Sequence, residues 1–193
     1  MDCMGQLDLF LHEERREIPV LIKAGLVHAQ FETIHPFLEG NGRLGRLLIA
    51  FLLCAAGALR EPILYLSLFF KTHRQVYYDL LTRVRTAGDW EAWLAFFLDG
   101  VKETSDQALI ATRRIIALLD NDRRKIDGLG RAAASARRVH HYAQTHPIFS
   151  IASAAKSIGA TFPTASNACE LLRKLRGPAR DHRQATASTL CLW

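Results

Sequence analysis

One twelve-residue segment, residues 35–46, concentrates most of the candidate chemistry of this chain. It reads His-Pro-Phe-Leu-Glu-Gly-Asn-Gly-Arg-Leu-Gly-Arg, with apolar sequence on both sides. A surface turn needs glycine or asparagine, but it needs neither a carboxylate nor two arginines. The combination therefore predicts a binding site for a polyphosphate, with a general base at its edge.

The glycines and arginines of this segment suit an anion. Gly40 and Gly42 can adopt positive φ and let backbone N–H groups approach a phosphate closely. A helix N-terminus adds unsatisfied N–H donors and a positive dipole end. Arg43 and Arg46 are three residues apart and share a helix face, where guanidinium groups match phosphate oxygens. The amide of Asn41 can donate a further hydrogen bond.

Two other residues extend this chemistry. Glu39 would repel a phosphate unless a cation lay between them, and Mg²⁺ is usually held by one or two carboxylates plus substrate phosphates. His35 lies at the rim, where a histidine can act as a general base at neutral pH. Phe37 is more plausible as an anchor that holds the loop to the core.

The flanking elements must position this segment. Residues 18–34 are apolar with few breaks, and Pro19 suits the first turn of a buried helix. Pro36 disfavours a helical conformation for His35, so the helix should end there. Residues 44–56 are again apolar and lack proline. The sequence therefore predicts a loop between two buried helices, at the N-terminus of the second.

The segment resembles the signature of Fic-domain proteins, His-x-Phe-x-Asp/Glu-Gly-Asn-Gly-Arg-x-x-Arg, and it matches every fixed position. Residues 29–34 are similar to the sequence that precedes the signature in many bacterial members. Residues 77–81 and 90–93 resemble the family's next helices, so the resemblance extends over roughly residues 5–175.

The resemblance implies transfer of a nucleotide monophosphate, most often AMP from ATP, to a Ser, Thr or Tyr hydroxyl of a protein. It implies that His35 deprotonates the acceptor and that Glu39 holds Mg²⁺. The nucleotide-binding residues that it implies are Gly40, Asn41, Gly42, Arg43, Gly45, Arg46, Tyr77 and Tyr78. The two tyrosines match positions that often line an adenine pocket, although packing in a helical core explains them equally well. The related Doc-type kinases have Lys at the position of Gly42, which argues against that branch.

Other parts of the family pattern are not recognisable. Family members usually carry a β-hairpin flap before the signature, and many carry an inhibitory helix. Only 34 residues precede His35, and they have no alternating strand pattern. We expect the flap to be missing. The alternative function is therefore a weakly active or inactive Fic protein that regulates by binding DNA or protein.

The composition of the chain indicates how large a core it can form and in which compartment it is expected. Its 193 residues are 49% hydrophobic, enough for one core and a small second domain. The apolar stretch 44–59 is shorter than the roughly 20 residues that a membrane span requires. The four cysteines have no metal-site spacing. We expect a cytoplasmic protein with no membrane partner, and dimerisation, common in the family, is possible.

The sequence predicts an all-α fold with a Fic-like core over residues 1–125 and a linker or helix break over 126–138. Residues 139–177 read as helix, short turn with glycine, and helix, which is typical of a helix-turn-helix. They resemble the winged helix that many Fic proteins carry, and residues 178–193 read as a disordered tail. The net charge of +6 makes DNA a possible partner, although solvated helix faces are the commoner cause. His140, His141 and His146 are expected at the surface or at an interface.

Overall fold

A computed structural model describes residues 2–13, 18–176 and 190–192 of the chain. Within these residues the fold is helical except for one pair of short strands, which confirms the all-α prediction. The chain divides into two compact units, an N-terminal unit of residues 1–111 and a C-terminal unit of residues 112–193. Among the described residues, no helix is both long and apolar enough to cross a bilayer.

The N-terminal unit is built from α-helices. They are α1 (Cys3–His12), α2 (Val20–Ile34), α3 (Asn41–Ala55), α4 (Leu66–Thr72), α5 (Arg74–Ala87) and the first part of α6 (Trp90–Asp127). Helices α2 and α3 pack along each other. Trp93 and Phe97 of α6 are fully buried against α2, α3 and α5. The indole N–H of Trp93 donates to the carbonyl of Gly25, 2.9 Å away, which fixes α6 on the buried helix α2.

The local sequence explains where these helices begin and end. Pro19, with φ −55°, precedes the first residue of α2, where its missing N–H costs no hydrogen bond. At the other end His35 leaves the helical conformation, as expected before a proline. Helix α3 begins at Asn41, three residues earlier than the apolar pattern alone predicts, because Gly40 turns the chain with φ +87°. Asp89 caps α6 by accepting from the N–H of Ala92 at 3.3 Å.

The C-terminal unit packs three helices around a small core. After α6 come a 3₁₀ turn (Gly130–Ala132), α7 (Ala133–Thr145), strand β1 (Ile148–Ser150), α8 (Ile151–Ile158) and α9 (Phe162–Arg176). Strand β2 (Leu190–Leu192) pairs antiparallel with β1, with Phe149 opposite Cys191. The core includes Ile126, Val139, Phe149, Ile158 and Leu172.

The predicted division of this half differs from the structure in several places. The unit boundary falls at residue 111, inside α6, rather than at 125. Only residues 128–132 separate α6 from α7. A break between helices thus lies within the predicted range 126–138, whose remaining residues are helical. Lys and Arg are good helix formers, and the charged run at 123–125 continues the helix instead of breaking it.

The predicted disordered tail also differs at its end, where Leu190–Leu192 form β2 by backbone pairing with β1. Residues 178–189 and 193 of that tail lie outside the described residues. The prediction that His140 lies at the surface or at an interface is wrong, since it is 1% exposed with Nε2 3.7 Å from Asp122 Oδ2. Its position on the inward face of α7, beside Val139 and Ala143, accounts for this burial.

Candidate active-site loop

The predicted site is a loop, residues 35–40, between the C-terminus of α2 and the N-terminus of α3. His35 stands at its start in the left-handed conformation, with φ 49° and ψ 56°, and its N–H donates to the carbonyl of Phe31 at 3.0 Å. Gly40 stands at its end with φ +87°, which favours glycine. The loop thus joins a histidine at the end of one helix to the positive end of the next.

Asn41 closes this loop from inside. Its side chain is 2% exposed. Its amide oxygen accepts from the N–H of Phe37 at 3.0 Å, and its amide nitrogen donates to the carbonyl of Phe37 at 2.5 Å. The side chain that was predicted to donate to a ligand is therefore occupied in shaping the loop, and its contribution to an anion site is its backbone N–H.

The first turn of α3 is arranged to receive an anion. The N–H groups of Arg43 and Leu44 donate to the carbonyl of Gly40, each at 3.0 Å. The N–H groups of Asn41 and Gly42 precede them and have no acceptor within the helix, as at any helix N-terminus. A negative group placed there would meet free donors and the positive end of the dipole.

Both arginine side chains fold back over this turn. Nη2 of Arg43 lies 3.7 Å from the point where a Cβ would stand on Gly40, and Nη1 of Arg46 lies 3.1 Å from the equivalent point on Gly42. Long side chains on a helix lean toward its N-terminus, which accounts for these positions. Two positive charges are thereby brought to the donors of the first turn, as the spacing predicted.

The remaining polar residues of the loop face outward. His35 and Glu39 are both exposed, as is Phe37, which is 49% exposed but still contacts the ring of Phe31. No group of three or more His, Cys, Asp or Glu that could hold a metal occurs in the part of the chain that the structure describes. A single accessible carboxylate next to a phosphate-binding turn nevertheless fits Mg²⁺, since that ion completes its coordination with phosphate oxygens and water.

Two polar side chains of α2 lie at its contact with α3, one fully buried (His28) and one half-buried (Glu32). Glu32 and His28 are one turn apart on α2, and both approach Gly45 of α3. A Cβ on Gly45 would stand 2.7 Å from Oε1 of Glu32 and 3.1 Å from Nδ1 of His28. Among the residues that the structure describes, neither of these two buried atoms has a hydrogen-bond partner. Gly45, predicted to bind nucleotide, is itself buried in the α2–α3 contact, where its lack of a side chain makes room for Glu32.

The electrostatics of this group follow from burial and from Arg46. Burial lowers the pKa of His28 to about 4; the Gly45 backbone opposes this shift and Arg46 reinforces it. Burial also raises the pKa of the Glu32 carboxyl, against the opposing charges of Arg46 and His35. The Glu32 carboxyl thus interacts electrostatically with Arg46 and His35, two of the predicted site residues.

The two tyrosines have different surroundings. Tyr77 is 5% exposed in the core, and its hydroxyl lies 3.0 Å from Nε2 of His28. Burial raises the pKa of the Tyr77 hydroxyl. Tyr78 is 50% exposed, and the guanidinium of Arg74 lies over its ring. Of the pair, only Tyr78 is placed where a ligand could reach its ring, and Tyr77 supports α2 from within.

The structure therefore brings together most of the predicted residues. His35, Glu39, Gly40, Gly42, Arg43 and Arg46 all lie on the loop or the first turns of α3, while Asn41, Gly45 and Tyr77 lie inside and support them. The sequence interpretation missed His28 and Glu32. Their signal was an i, i+4 pair of ionisable residues in an otherwise apolar helix, which indicates a shared buried face.

Known proteins resemble this region. Residues 1–53 match the family model described as the Fic/DOC family. Relatives named protein adenylyltransferase Fic occur in Aedes aegypti, 38% identical over 92 residues, and in Drosophila grimshawi, 37% identical over 89 residues. These matches cover 48% and 46% of this chain and 17% of each relative, so the chain spans about a sixth of their length. The stretch that carries the complete signature, within residues 1–53, is therefore similar to the Fic/DOC family.

Proposed function

We propose that the chain is a protein adenylyltransferase, which transfers AMP from ATP to a hydroxyl of a protein side chain. The main support is the position of the Arg43 and Arg46 guanidinium groups over the first turn of α3. This turn follows the short loop that begins at His35. The names of the similar insect proteins support the same activity.

The triphosphate would lie on the N-terminus of α3. The N–H groups of Asn41 and Gly42 would bind phosphate oxygens, and Arg43 and Arg46 would hold the β and γ phosphates. Such charge-assisted contacts are short and directional, so they would fix the α phosphorus for in-line attack. Positioning and charge stabilisation contribute most of the catalysis in transfers of this kind.

His35 would act as the general base. It would take the proton of the acceptor hydroxyl as that oxygen forms its bond to the α phosphorus. The bond from the α phosphorus to the bridging oxygen would then break, and pyrophosphate would leave. The exposure of His35 suits this role, because the acceptor belongs to a separate protein surface.

Glu39 would hold Mg²⁺. The ion would neutralise phosphate charge when bound, and the single exposed carboxylate next to Gly40 suits an ion that takes its other ligands from phosphates and water. Tyr78 would provide an aromatic face for the base of the nucleotide, since its ring is half exposed. Tyr77 would contribute indirectly, through its contact with His28.

The position of the label in ATP tests the reaction class. The chain is incubated with Mg²⁺, a protein lysate, and ATP labelled either at the α or at the γ phosphate. AMP transfer predicts labelled protein with the α label only. Incorporation of the γ label would instead indicate a kinase and would overturn the proposal.

A further inference from the structure

The charges of this chain are divided unequally between its two units. Residues 112–193 contain 14 Lys and Arg but 5 Asp and Glu, a net charge of +9, whereas residues 1–111 contain 11 Lys and Arg and 14 Asp and Glu, a net charge of −3. A charge difference of this size between halves of one chain indicates an anionic partner for the basic half. The net positive charge of the chain is therefore carried by the C-terminal unit, apart from the arginines of the active-site loop.

The order of helices and strands in the C-terminal unit indicates which kind of anionic partner it could bind. Helices α7, α8 and α9 pack on one another, and α8 and α9 are joined by a short turn at Gly159, where φ is +62°. Strand β1, between α7 and α8, pairs with β2, which follows α9. Two helices joined by a short glycine turn form the helix-turn-helix unit, whose second helix enters the major groove of DNA.

The second helix, α9, has an exposed face suited to that role. Its buried positions Ala165, Ala168 and Leu172 lie on the inner side. The exposed positions are Phe162 at its start, then Pro163, Thr164, Asn167, Glu170, Arg173 and Lys174, and Thr161 just before the helix is exposed as well. On this exposed face, short hydroxyl and amide side chains therefore occupy the N-terminal half of α9, and cationic side chains occupy the C-terminal half. Asn pairs with adenine edges and Glu accepts from cytosine, while Lys and Arg neutralise phosphates.

Further cations flank the same pair of helices. Nη2 of Arg138 on α7 lies 3.7 Å from the position that a Cβ of Gly159 would occupy, so this guanidinium stands at the α8–α9 turn. Arg138 also lines an open groove of about 860 Å³, together with Arg137, Arg123 and Ser157. Arg137 is paired with Asp127, and Arg123 with Asp120, so Arg138 is the groove arginine best placed for an external phosphate.

We propose that the C-terminal unit binds double-stranded DNA, with α9 in the major groove and Arg138, Arg173 and Lys174 on the phosphates. This inference is independent of AMP transfer. It commits to DNA over another polyanion because the small polar side chains Thr164 and Asn167 stand on the exposed face of the second helix, where base edges would be read. A binder of unspecific polyanions requires only the cations.

Fluorescence anisotropy of a labelled 24-bp duplex, titrated with the full chain without ATP, tests the proposal. Affinity is measured between 50 and 200 mM salt for the wild type, Asn167→Ala, Arg173→Ala/Lys174→Ala and the matched control Arg85→Ala/Lys102→Ala. The control removes the same charge from exposed positions of the N-terminal unit. Circular dichroism of each variant verifies that the helical content is unchanged.

We expect the duplex to bind with a steep salt dependence. Arg173→Ala/Lys174→Ala should weaken binding at every salt concentration and reduce the slope of log affinity against log salt by about two, roughly one per lost cation. The control should leave the slope unchanged. In a panel of duplex sequences, Asn167→Ala should reduce the differences between duplexes.

Three results would overturn the proposal. One is no anisotropy change at 50 mM salt. Another is an equal loss of affinity in the control, which would make the effect one of overall charge. The third is binding of single-stranded RNA or polyglutamate as strong as that of the duplex, which would reduce the C-terminal unit to an unspecific polyanion binder.

Discussion

Asn41 and Phe37 are joined by two hydrogen bonds, one to the N–H and one to the carbonyl of the same backbone residue. One buried amide thereby satisfies both backbone groups at the middle of the loop between α2 and α3. The conformation of the loop is fixed before any ligand arrives, which is the condition for oriented donors to act without reorganisation.

Asn41→Ala should therefore destabilise the fold. It leaves two backbone groups of Phe37 without partners, at a cost of about 1–3 kcal/mol. Asn41→Asp keeps an acceptor for the N–H but presents an oxygen to the Phe37 carbonyl, so it should not restore the wild-type stability. Urea unfolding measures both variants. Asn121→Ala, at an exposed position of α6, is the control and should unfold as the wild type does; equal stability of Asn41→Ala would contradict the role of this pair.

The close contact of Gly45 with Glu32 leads to a second prediction. A Cβ at Gly45 would stand 2.7 Å from Oε1 of Glu32, so Gly45→Ala should cost about 1–3 kcal/mol through overpacking. Glu32→Ala in the same chain should recover much of that loss, because the clashing carboxylate is removed. Thermal unfolding of the two single variants and the double variant gives the coupling energy. Gly128→Ala, whose Cβ would meet nothing closer than 3.4 Å, is the control, and an additive result would indicate that the two residues do not interact.

The buried His28 predicts a particular pH dependence of stability. Its pKa is lowered to about 4 in the folded chain, chiefly by burial, so the unfolded chain binds the proton more readily. The contribution of His28 is complete above about pH 6.5 and is lost as the pH falls from 6.5 to about 4, by up to about 3 kcal/mol. Glu32 acts in the opposite direction, since its raised pKa favours the folded state as the carboxyl is protonated.

Comparison with His28→Gln isolates this effect. Urea unfolding between pH 7 and pH 4.5 should give a smaller loss of stability on acidification for His28→Gln than for the wild type. His141→Gln, on the exposed side of α7, should keep the wild-type profile. Parallel profiles for the wild type and His28→Gln would indicate that His28 is not held neutral by burial.

Arg43 and Arg46 should contribute to the binding of ATP more than to the binding of AMP. If they hold the β and γ phosphates, Arg43→Ala and Arg46→Ala should each weaken ATP binding by at least about tenfold, as expected for loss of a charge-assisted hydrogen bond. Both should change AMP binding far less. Isothermal titration with ATP and with AMP measures the ratio, and Lys102→Ala is the control of equal charge. A parallel loss for both nucleotides would place the arginines elsewhere on the ligand.

The limits of α2 and the placement of the loop could be predicted because they depend on local chemistry. Pro19 and Pro36 restrict their own neighbours, and the glycines and arginines act within one helical turn. The roles of Asn41 and Gly45 could not be predicted from spacing. They depend on which atoms of Phe37 and Glu32 lie nearby, and the Gly45 contact forms only when α3 packs on α2.

The second half of the chain was harder to predict for a related reason. The charged and glycine-containing stretch from Arg123 to Gly130 suggested a linker or helix break. Lys and Arg favour helix, and α6 continues through the charged residues to Asp127. Strand β2 forms by backbone pairing with β1 across some forty residues, and such a pairing leaves little trace in the local pattern. The turn at Gly159 was predictable because a positive φ favours glycine.

Transfer of the α-phosphate label from ATP to protein, by the wild type and by His35→Ala, tests the central claim most directly. Both chains are incubated with Mg²⁺ and a cell lysate, and ATP binding is measured alongside, with His141→Gln as a second histidine variant. The account predicts labelled protein with the wild type and His141→Gln, and loss of the label with His35→Ala although ATP still binds. Undiminished labelling by His35→Ala, or no labelling by a wild-type chain that binds ATP, would contradict it.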